Sequence, residues 1–145
     1  YDWWSESLAQ DLGVGTLGEN LTLTGLPSAD MAVGSRLNFD TVVLEVTAPR
    51  IPCNILAQRM GSAKFAKQFI RAERPGIYCR VIETGFLSTG ESFTVDASPA
   101  SAVTIVEMFR ADTGKRSKAQ LERFLAAPID ARTRAKWQAE LDRLN

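Results

Sequence analysis

Hydrophobic and polar positions form short clusters through the first two thirds of the chain. Runs rich in Val, Leu, Thr and Phe are separated by Gly, Pro, Ser and Asp, as in β-strands joined by turns. The candidate strands are residues 21–24, 36–39, 42–48, 76–83 and 92–95. Between the third and fourth of these runs, apolar residues fall at helical spacings that Gly61 and Ser62 interrupt. This pattern predicts a β-rich region with two short helices inserted between strands.

Both ends of the chain have the pattern of amphipathic helices. Trp4, Leu8 and Leu12 are four residues apart, so they would share one face of a helix over residues 1–12. After Pro99, three more helices are predicted near residues 104–111, 117–127 and 131–144. We therefore predict a β-rich domain over residues 1–98 and a three-helix extension over residues 99–145.

The first two C-terminal helices also have recognisable starts. Both begin with a hydroxyl residue followed three positions later by Glu or Gln, namely Thr104 with Glu107 and Ser117 with Gln120. In such a capping box, the side chains satisfy amides that the first helical turn leaves unpaired.

The composition narrows the class of protein. The chain has 145 residues, of which 45% are hydrophobic and 23% charged, as in one globular domain. Lys plus Arg and Asp plus Glu number 17 each, and this balance argues against a nucleic-acid partner. The sequence has neither an apolar run long enough for a membrane span nor the pattern of a signal peptide at its start. We expect a cytoplasmic protein.

The chain contains no histidine. This excludes Ser–His–Asp and Cys–His triads, and any zinc site that needs imidazole. Cys53 and Cys79 are the two cysteines, and their wide spacing fits neither a CxxC redox motif nor a zinc knuckle. A disulfide is also not expected in the cytoplasm.

Cys53 follows the sequence Pro49-Arg50-Ile51-Pro52. We expect Pro52 to place Cys53 in the first turn of the next helix, where unpaired amides and the helix dipole favour a thiolate, as does nearby Arg50. A thiolate there could ligate copper, zinc, iron–sulfur or molybdenum, or act as a nucleophile or persulfide carrier. A buried structural thiol is the alternative.

Cys79 and Arg80 lie in the fourth predicted strand. Cys79 shares a strand face with Ile77 and Val81, which favours core packing. Arg80 lies on the opposite face, either as a solvated charge or as an anion ligand.

Residues 13–18 have the spacing GxGxxG of a dinucleotide-binding loop. A predicted helix precedes them and a predicted strand follows, which is the reverse of the dinucleotide-binding context. Glycine-rich turns are therefore the favoured interpretation. The following Glu19 and Asn20 fit a turn as well, with a polar ligand contact left open.

Three segments resemble the MOSC domain, the module named for the C-terminus of molybdenum cofactor sulfurase. They are GENLTLTGL at 18–26, TAPRIPCNILAQRM at 47–60 and PGIYCRVIETGFLSTGESFTV at 75–95. The three C-terminal helices resemble the extension of the YiiM-like bacterial branch of that family. The resemblance implies a mostly β fold with α elements, namely a MOSC-type β-barrel with inserted short helices and a C-terminal three-helix appendage.

The resemblance also implies a function. Cys53 would be the catalytic residue and the metal ligand of a molybdenum cofactor (molybdopterin), with Arg50, Asn20 and Arg80 as cofactor contacts. The reaction would be reduction of N-hydroxylated compounds such as N-hydroxylated purine bases. Because the cofactor supplies the redox chemistry, a histidine acid or base is not required.

Two other functions remain open on the sequence. One is a non-catalytic carrier of persulfide sulfur or of the molybdenum cofactor. The other is an interaction module whose helical tail docks a reductase.

The resemblance bears on partners too. It implies a small N-hydroxylated substrate and an electron-donor reductase, with no nucleic acid and no membrane. Family members begin further upstream, with early strands and an HGG-type segment, so we expect this chain to be truncated at its N-terminus. The sheet edge exposed in that case would favour pairing with another chain, as in a homodimer.

Overall fold

The computed structural model describes residues 1–144 and combines short strands with helices along its whole length. The helices are α1 (Asp2–Leu8), α2 (Asn54–Arg59), α3 (Phe65–Ala72), α4 (Ile105–Thr113), α5 (Lys118–Ala126) and α6 (Ala131–Asp142), with a 3-10 turn at Ser28–Asp30. The strands are β1 (Arg36–Asn38), β2 (Val43–Pro49), β3 (Ile77–Glu83) and β4 (Thr94–Asp96). Within residues 1–144, no helix is both long and apolar enough to cross a bilayer.

The chain forms two compact units. The first consists of Tyr1–Leu26 and Pro52–Ala72, and the second of Pro27–Ile51 and Glu73–Asn145. Helices α1, α2 and α3 therefore belong to the first unit, and the strands and the C-terminal helices to the second. The domain boundary expected between residues 98 and 99 stays a prediction.

The first unit is built around stacked aromatic rings. Trp4 of α1 stacks on Phe69 of α3, with ring centroids 5.7 Å apart, and its ring lies 5.1 Å from that of Phe65. All three side chains are buried. Helix α1 is shorter than expected, because Ala9 adopts the left-handed conformation, with φ 49°, and ends it.

The second unit contains an antiparallel sheet in the order β3-β2-β1-β4. Strand β2 pairs on both sides and is almost entirely buried. The sheet is open, with β3 and β4 at its edges, so the four described strands do not close into the expected barrel. Residues 1–144 contain six helices beside four short strands, so the fold is mixed α/β rather than mostly β.

The strand expected at residues 21–24 is not formed. The Thr22 hydroxyl donates a hydrogen bond to Glu19 instead, and Gly25 turns the backbone with a positive φ of 74°. Composition favoured a strand here, but a strand also needs a neighbour with which to pair. In the described part of the chain, no strand pairs with these residues.

The C-terminal helices confirm their predicted caps. The Thr104 hydroxyl accepts a hydrogen bond from the Glu107 amide at 3.2 Å, and the Glu107 carboxylate accepts one from the Thr104 amide at 2.8 Å. Ser117 and Gln120 form the same box at the start of α5. Helix α6 contributes Trp137 to the core, where its ring lies 5.1 Å from that of Phe124.

Candidate functional site

Cys53 lies immediately before α2 and carries an exposed thiol. Its backbone is extended, with φ −130° and ψ 172°, and its side chain does not cap the helix. Its carbonyl oxygen accepts the first helical hydrogen bond, from the Ala57 amide at 3.1 Å. The expectation that Cys53 lies in the first turn is therefore wrong, because Pro52 comes before the cap position rather than inside the helix. Cys53 is nevertheless exposed, so a ligand or reagent can reach it.

Cys79 has a different environment in β3, opposite Val46 of β2. Burial raises the pKa of its thiol from 9.0 to about 11, so the neutral form prevails at physiological pH. The prediction of core packing is met only in part. Because β3 is an edge strand, Cys79 is half-buried and its neighbour on the same face, Val81, remains 54% exposed.

Arg50 is fixed in the backbone just before the cysteine. Its amide donates a hydrogen bond to the Gly76 carbonyl at 2.8 Å, which continues the pairing of β2 and β3 beyond their ends. This bond holds the chain at the exit of the sheet, three residues before Cys53.

Arg80 pairs with a buried carboxylate. Its guanidinium donates to Glu45 at 3.2 Å and to the Ile129 carbonyl at 3.3 Å. Glu45 is only 8% exposed and also pairs with Arg36 at 3.5 Å. Since an isolated buried charge is costly, the two arginines compensate the Glu45 carboxylate. Arg80 thus has a structural partner that the sequence did not reveal, and its contact with a cofactor stays a prediction.

Asn20 is exposed on a loop that Glu19 holds in place. The Glu19 Oε1 atom accepts hydrogen bonds from the Tyr1 hydroxyl, from the Gly15 amide at 2.7 Å and from the Thr22 hydroxyl at 2.8 Å. Burial raises the pKa of Glu19, but these hydrogen bonds, led by that from Tyr1, outweigh it and lower the pKa to about 2. Glu19 is therefore the anionic centre of the loop that presents Asn20.

Sequence reasoning missed this role of Glu19 and its partner Tyr1. The available signal was an acidic residue directly after a glycine-rich turn and three residues before a threonine. Such a carboxylate can accept hydrogen bonds from the turn itself.

The four predicted site residues fall in both units. Cys53 and Asn20 belong to the first, and Arg50 and Arg80 to the second. A separate open cavity of about 560 Å³ lies within the second unit and is lined by none of these four residues. The polar side chains that line this cavity are Arg36, Glu45, Ser98, Ser101 and Arg123.

The donor set limits which metal group the chain could bind. Among residues 1–144, no three or more Cys, Asp or Glu side chains cluster as a metal site would require, and the sequence has no histidine. A bare metal ion therefore lacks a ligand set in the described region. A metal that arrives within an organic cofactor needs only one protein ligand, and the exposed soft sulfur of Cys53 fits that requirement.

Comparison with known proteins identifies the family. The model of the MOSC domain matches residues 1–94, and the chain therefore belongs to the MOSC family. This confirms the resemblance seen in the sequence. Crystal structures of YiiM share the fold. The structure of YiiM from Geobacillus stearothermophilus matches with a TM-score of 0.89 at 24% identity, and the match covers 97% of this chain and 73% of the YiiM chain. For YiiM from Escherichia coli, the TM-score is 0.87 at 21% identity, with coverage of 100% and 74%.

Two relatives are longer than this chain. The uncharacterized protein YflK of Bacillus subtilis is 28% identical over an alignment of 146 positions that covers 99% of this chain and 66% of YflK. A protein of Gibberella moniliformis named "Reductase" is 32% identical over an alignment of 112 positions that covers 75% of this chain and 20% of that protein. The chain thus spans less than two thirds of either relative.

Proposed function

We propose that this chain is the cofactor-binding region of a molybdenum-dependent reductase of N-hydroxylated compounds. Membership of the MOSC family supports a molybdenum cofactor, and the similarity to a protein named "Reductase" supports reduction. The observation that carries the proposal is the exposed thiol of Cys53 at the start of α2.

Cys53 would hold the metal, because a thiolate is a soft ligand suited to molybdenum. When bound, the cofactor would supply the two-electron redox chemistry that the side chains lack. In the overall reaction the N–O bond breaks, and two electrons and two protons convert the N-hydroxyl compound into the amine and water. The chain itself would bind and orient these groups.

Asn20 would contribute a polar contact to the cofactor or substrate. Its amide lies on a loop that the Glu19 hydrogen bonds fix, so little conformational entropy would be lost when it binds a ligand. Arg50 and Arg80 would add positive charge for an anionic part of the cofactor, and half of the Arg80 side chain remains exposed for this purpose.

Metal analysis of paired cysteine variants tests the proposal. Protein from a host that makes the molybdenum cofactor would be compared with Cys53→Ser and with Cys79→Ser as the matched control. We expect molybdenum and activity on an N-hydroxylated purine base to be lost in Cys53→Ser and retained in Cys79→Ser. Equal molybdenum in all three proteins would contradict the assignment of Cys53.

A carrier function is the second candidate, since a persulfide also needs an exposed thiol such as that of Cys53. A mass increase of one sulfur atom on Cys53, removed by a reducing agent, together with no turnover of the purine base, would favour the carrier.

We also propose that the protein is cytoplasmic. The sheet edges at β3 and β4 would be covered by further strands, as in a MOSC-type barrel. Open edges expose unpaired backbone groups that readily pair with another chain. Light scattering on purified protein would show a homodimer if a second copy covers an edge, and a monomer if it does not.

A further inference from the structure

Charge is strongly segregated within the first unit. Its acidic side chains all come from the N-terminal segment, and its basic side chains all come from the segment that forms α2 and α3. The acidic residues are Asp2, Glu6, Asp11 and Glu19, and the basic ones are Arg59, Lys64, Lys67 and Arg71. The segment that begins next to Cys53 is therefore purely cationic.

Three of these cations form one surface, which we call the basic face. Lys67 and Arg71 are four residues apart within α3 and so share one side of the helix. Lys64 directly precedes the helix, and its carbonyl oxygen accepts a hydrogen bond from the Gln68 amide at 3.1 Å. All three are exposed, whereas Phe65 and Phe69 on the opposite side are buried.

The basic face has no internal compensation. In the region of residues 1–144, none of its three cations forms an ion pair, whereas six cations of the second unit each contact a carboxylate. Those six are Arg36, Arg80, Arg110, Arg116, Arg123 and Lys136. Like charges three and four residues apart repel each other and weaken a helix. An acidic partner surface would relieve this repulsion.

The reduction proposed above needs a source of electrons. Cleavage of the N–O bond consumes two electrons per substrate. The glycine-rich loop at residues 13–18 does not have the strand-to-helix context of a nicotinamide-binding motif, because α1 precedes it and irregular chain follows. In the Gibberella moniliformis protein named "Reductase", the matching region makes up only 20% of a much longer polypeptide. We therefore take a separate protein or protein region as the electron donor in this inference.

We propose that the basic face of α3 docks an acidic surface on the protein that donates electrons. This inference rests on the proposed reductase function, and it adds the surface and the charge of the partner. Helices α2 and α3 contact each other, so the basic face belongs to the same compact unit as Cys53. Encounters that transfer electrons are small and transient, and complementary charge accelerates them without a large apolar interface.

Flavodoxin, a small acidic electron-transfer protein, serves as the probe. The test variant is the triple charge reversal Lys64→Glu, Lys67→Glu and Arg71→Glu in the cofactor-loaded protein. The matched control is Lys115→Glu, Arg132→Glu and Arg143→Glu, which changes the net charge equally at exposed positions of the second unit.

Two readouts separate docking from catalysis. A carbodiimide joins lysines to contacting carboxylates, so wild-type protein should form cross-links to flavodoxin at Lys64 and Lys67, and these should disappear at about 0.5 M salt. With reduced flavodoxin as donor, kcat/KM should fall about tenfold or more in the test variant and less than about twofold in the control. Dithionite, a small donor that needs no docking, should drive both variants equally.

Cross-links at other lysines, or equal losses in both triple variants, would overturn the docking proposal. Absence of turnover with dithionite in the wild type would instead contradict the reductase function, and the cross-links would still decide where flavodoxin binds. If circular dichroism shows that the triple variant is unfolded, Lys67→Glu alone replaces it.

Discussion

The two thiols should differ sharply in their reaction with an alkylating reagent. Cys53 is exposed before α2, whereas Cys79 is half-buried in β3. Iodoacetamide reacts with the thiolate rather than the thiol. Burial raises the pKa of Cys79 from 9.0 to about 11, so few Cys79 side chains are reactive at any moment near neutral pH.

The size of the effect follows from the shifted pKa. At about pH 8, a thiol with its usual pKa of 9.0 is roughly 9% thiolate, whereas one with a pKa of about 11 is roughly 0.1% thiolate. Cys79 should therefore react about 90 times more slowly than an ordinary exposed thiol, before its restricted access is counted. The rate at Cys79 should rise about tenfold per pH unit until the pH approaches 11.

The assay is alkylation of the folded protein sampled over time, with both cysteine peptides quantified by mass spectrometry. We expect Cys53 to be modified first. In urea the two rates should agree within about twofold, because the environments of the thiols become equivalent there. Modification of Cys79 in the folded protein as fast as that of Cys53 would refute the reasoning.

The remaining predictions concern stability, each measured by urea unfolding. Because the folded-state pKa of Glu19 lies below its usual 4.5, at about 2, its contribution is full above pH 4.5 and is lost as pH falls toward 2. Allowing for solvent screening, Glu19→Gln should cost about 1 kcal/mol at pH 7 and flatten this acid dependence, and an unchanged acid dependence would contradict this role of Glu19. Thr104→Ala and Ser117→Ala should each cost about 1 kcal/mol through the lost caps, and no measurable change would contradict that role. Phe69→Ala should cost about 3–5 kcal/mol by leaving a cavity beside Trp4, and a loss below about 1 kcal/mol would show that this cluster does not stabilise the fold.

The elements that the sequence predicted well are those with local signals. The capping residues Thr104 and Ser117 start α4 and α5 where expected, because each box is completed within four consecutive residues. Strand β2 was also predicted from its largely apolar run, and the structure buries nearly all of its residues. Cys53 is exposed but lies at the cap position rather than in the expected first turn, and its role as a ligand stays a prediction.

The features that the sequence did not reveal depend on distant partners. Residues 21–24 have the composition of a strand, yet strand pairing depends on a neighbour that local sequence does not specify. The partner of Arg80, Glu45, lies 35 positions away, and Tyr1 reaches Glu19 across 18 positions. Neither contact follows from spacing or composition, because each is created by the tertiary fold.

Whether Cys53 binds the metal can be measured most directly by X-ray absorption at the molybdenum edge. The cofactor-loaded protein would be compared with its Cys53→Ser variant, and the spectrum reports how many sulfur atoms surround the metal. We predict that the variant loses molybdenum, and that any molybdenum remaining has one sulfur neighbour fewer. Unchanged molybdenum content with an unchanged number of sulfur neighbours would contradict ligation by Cys53.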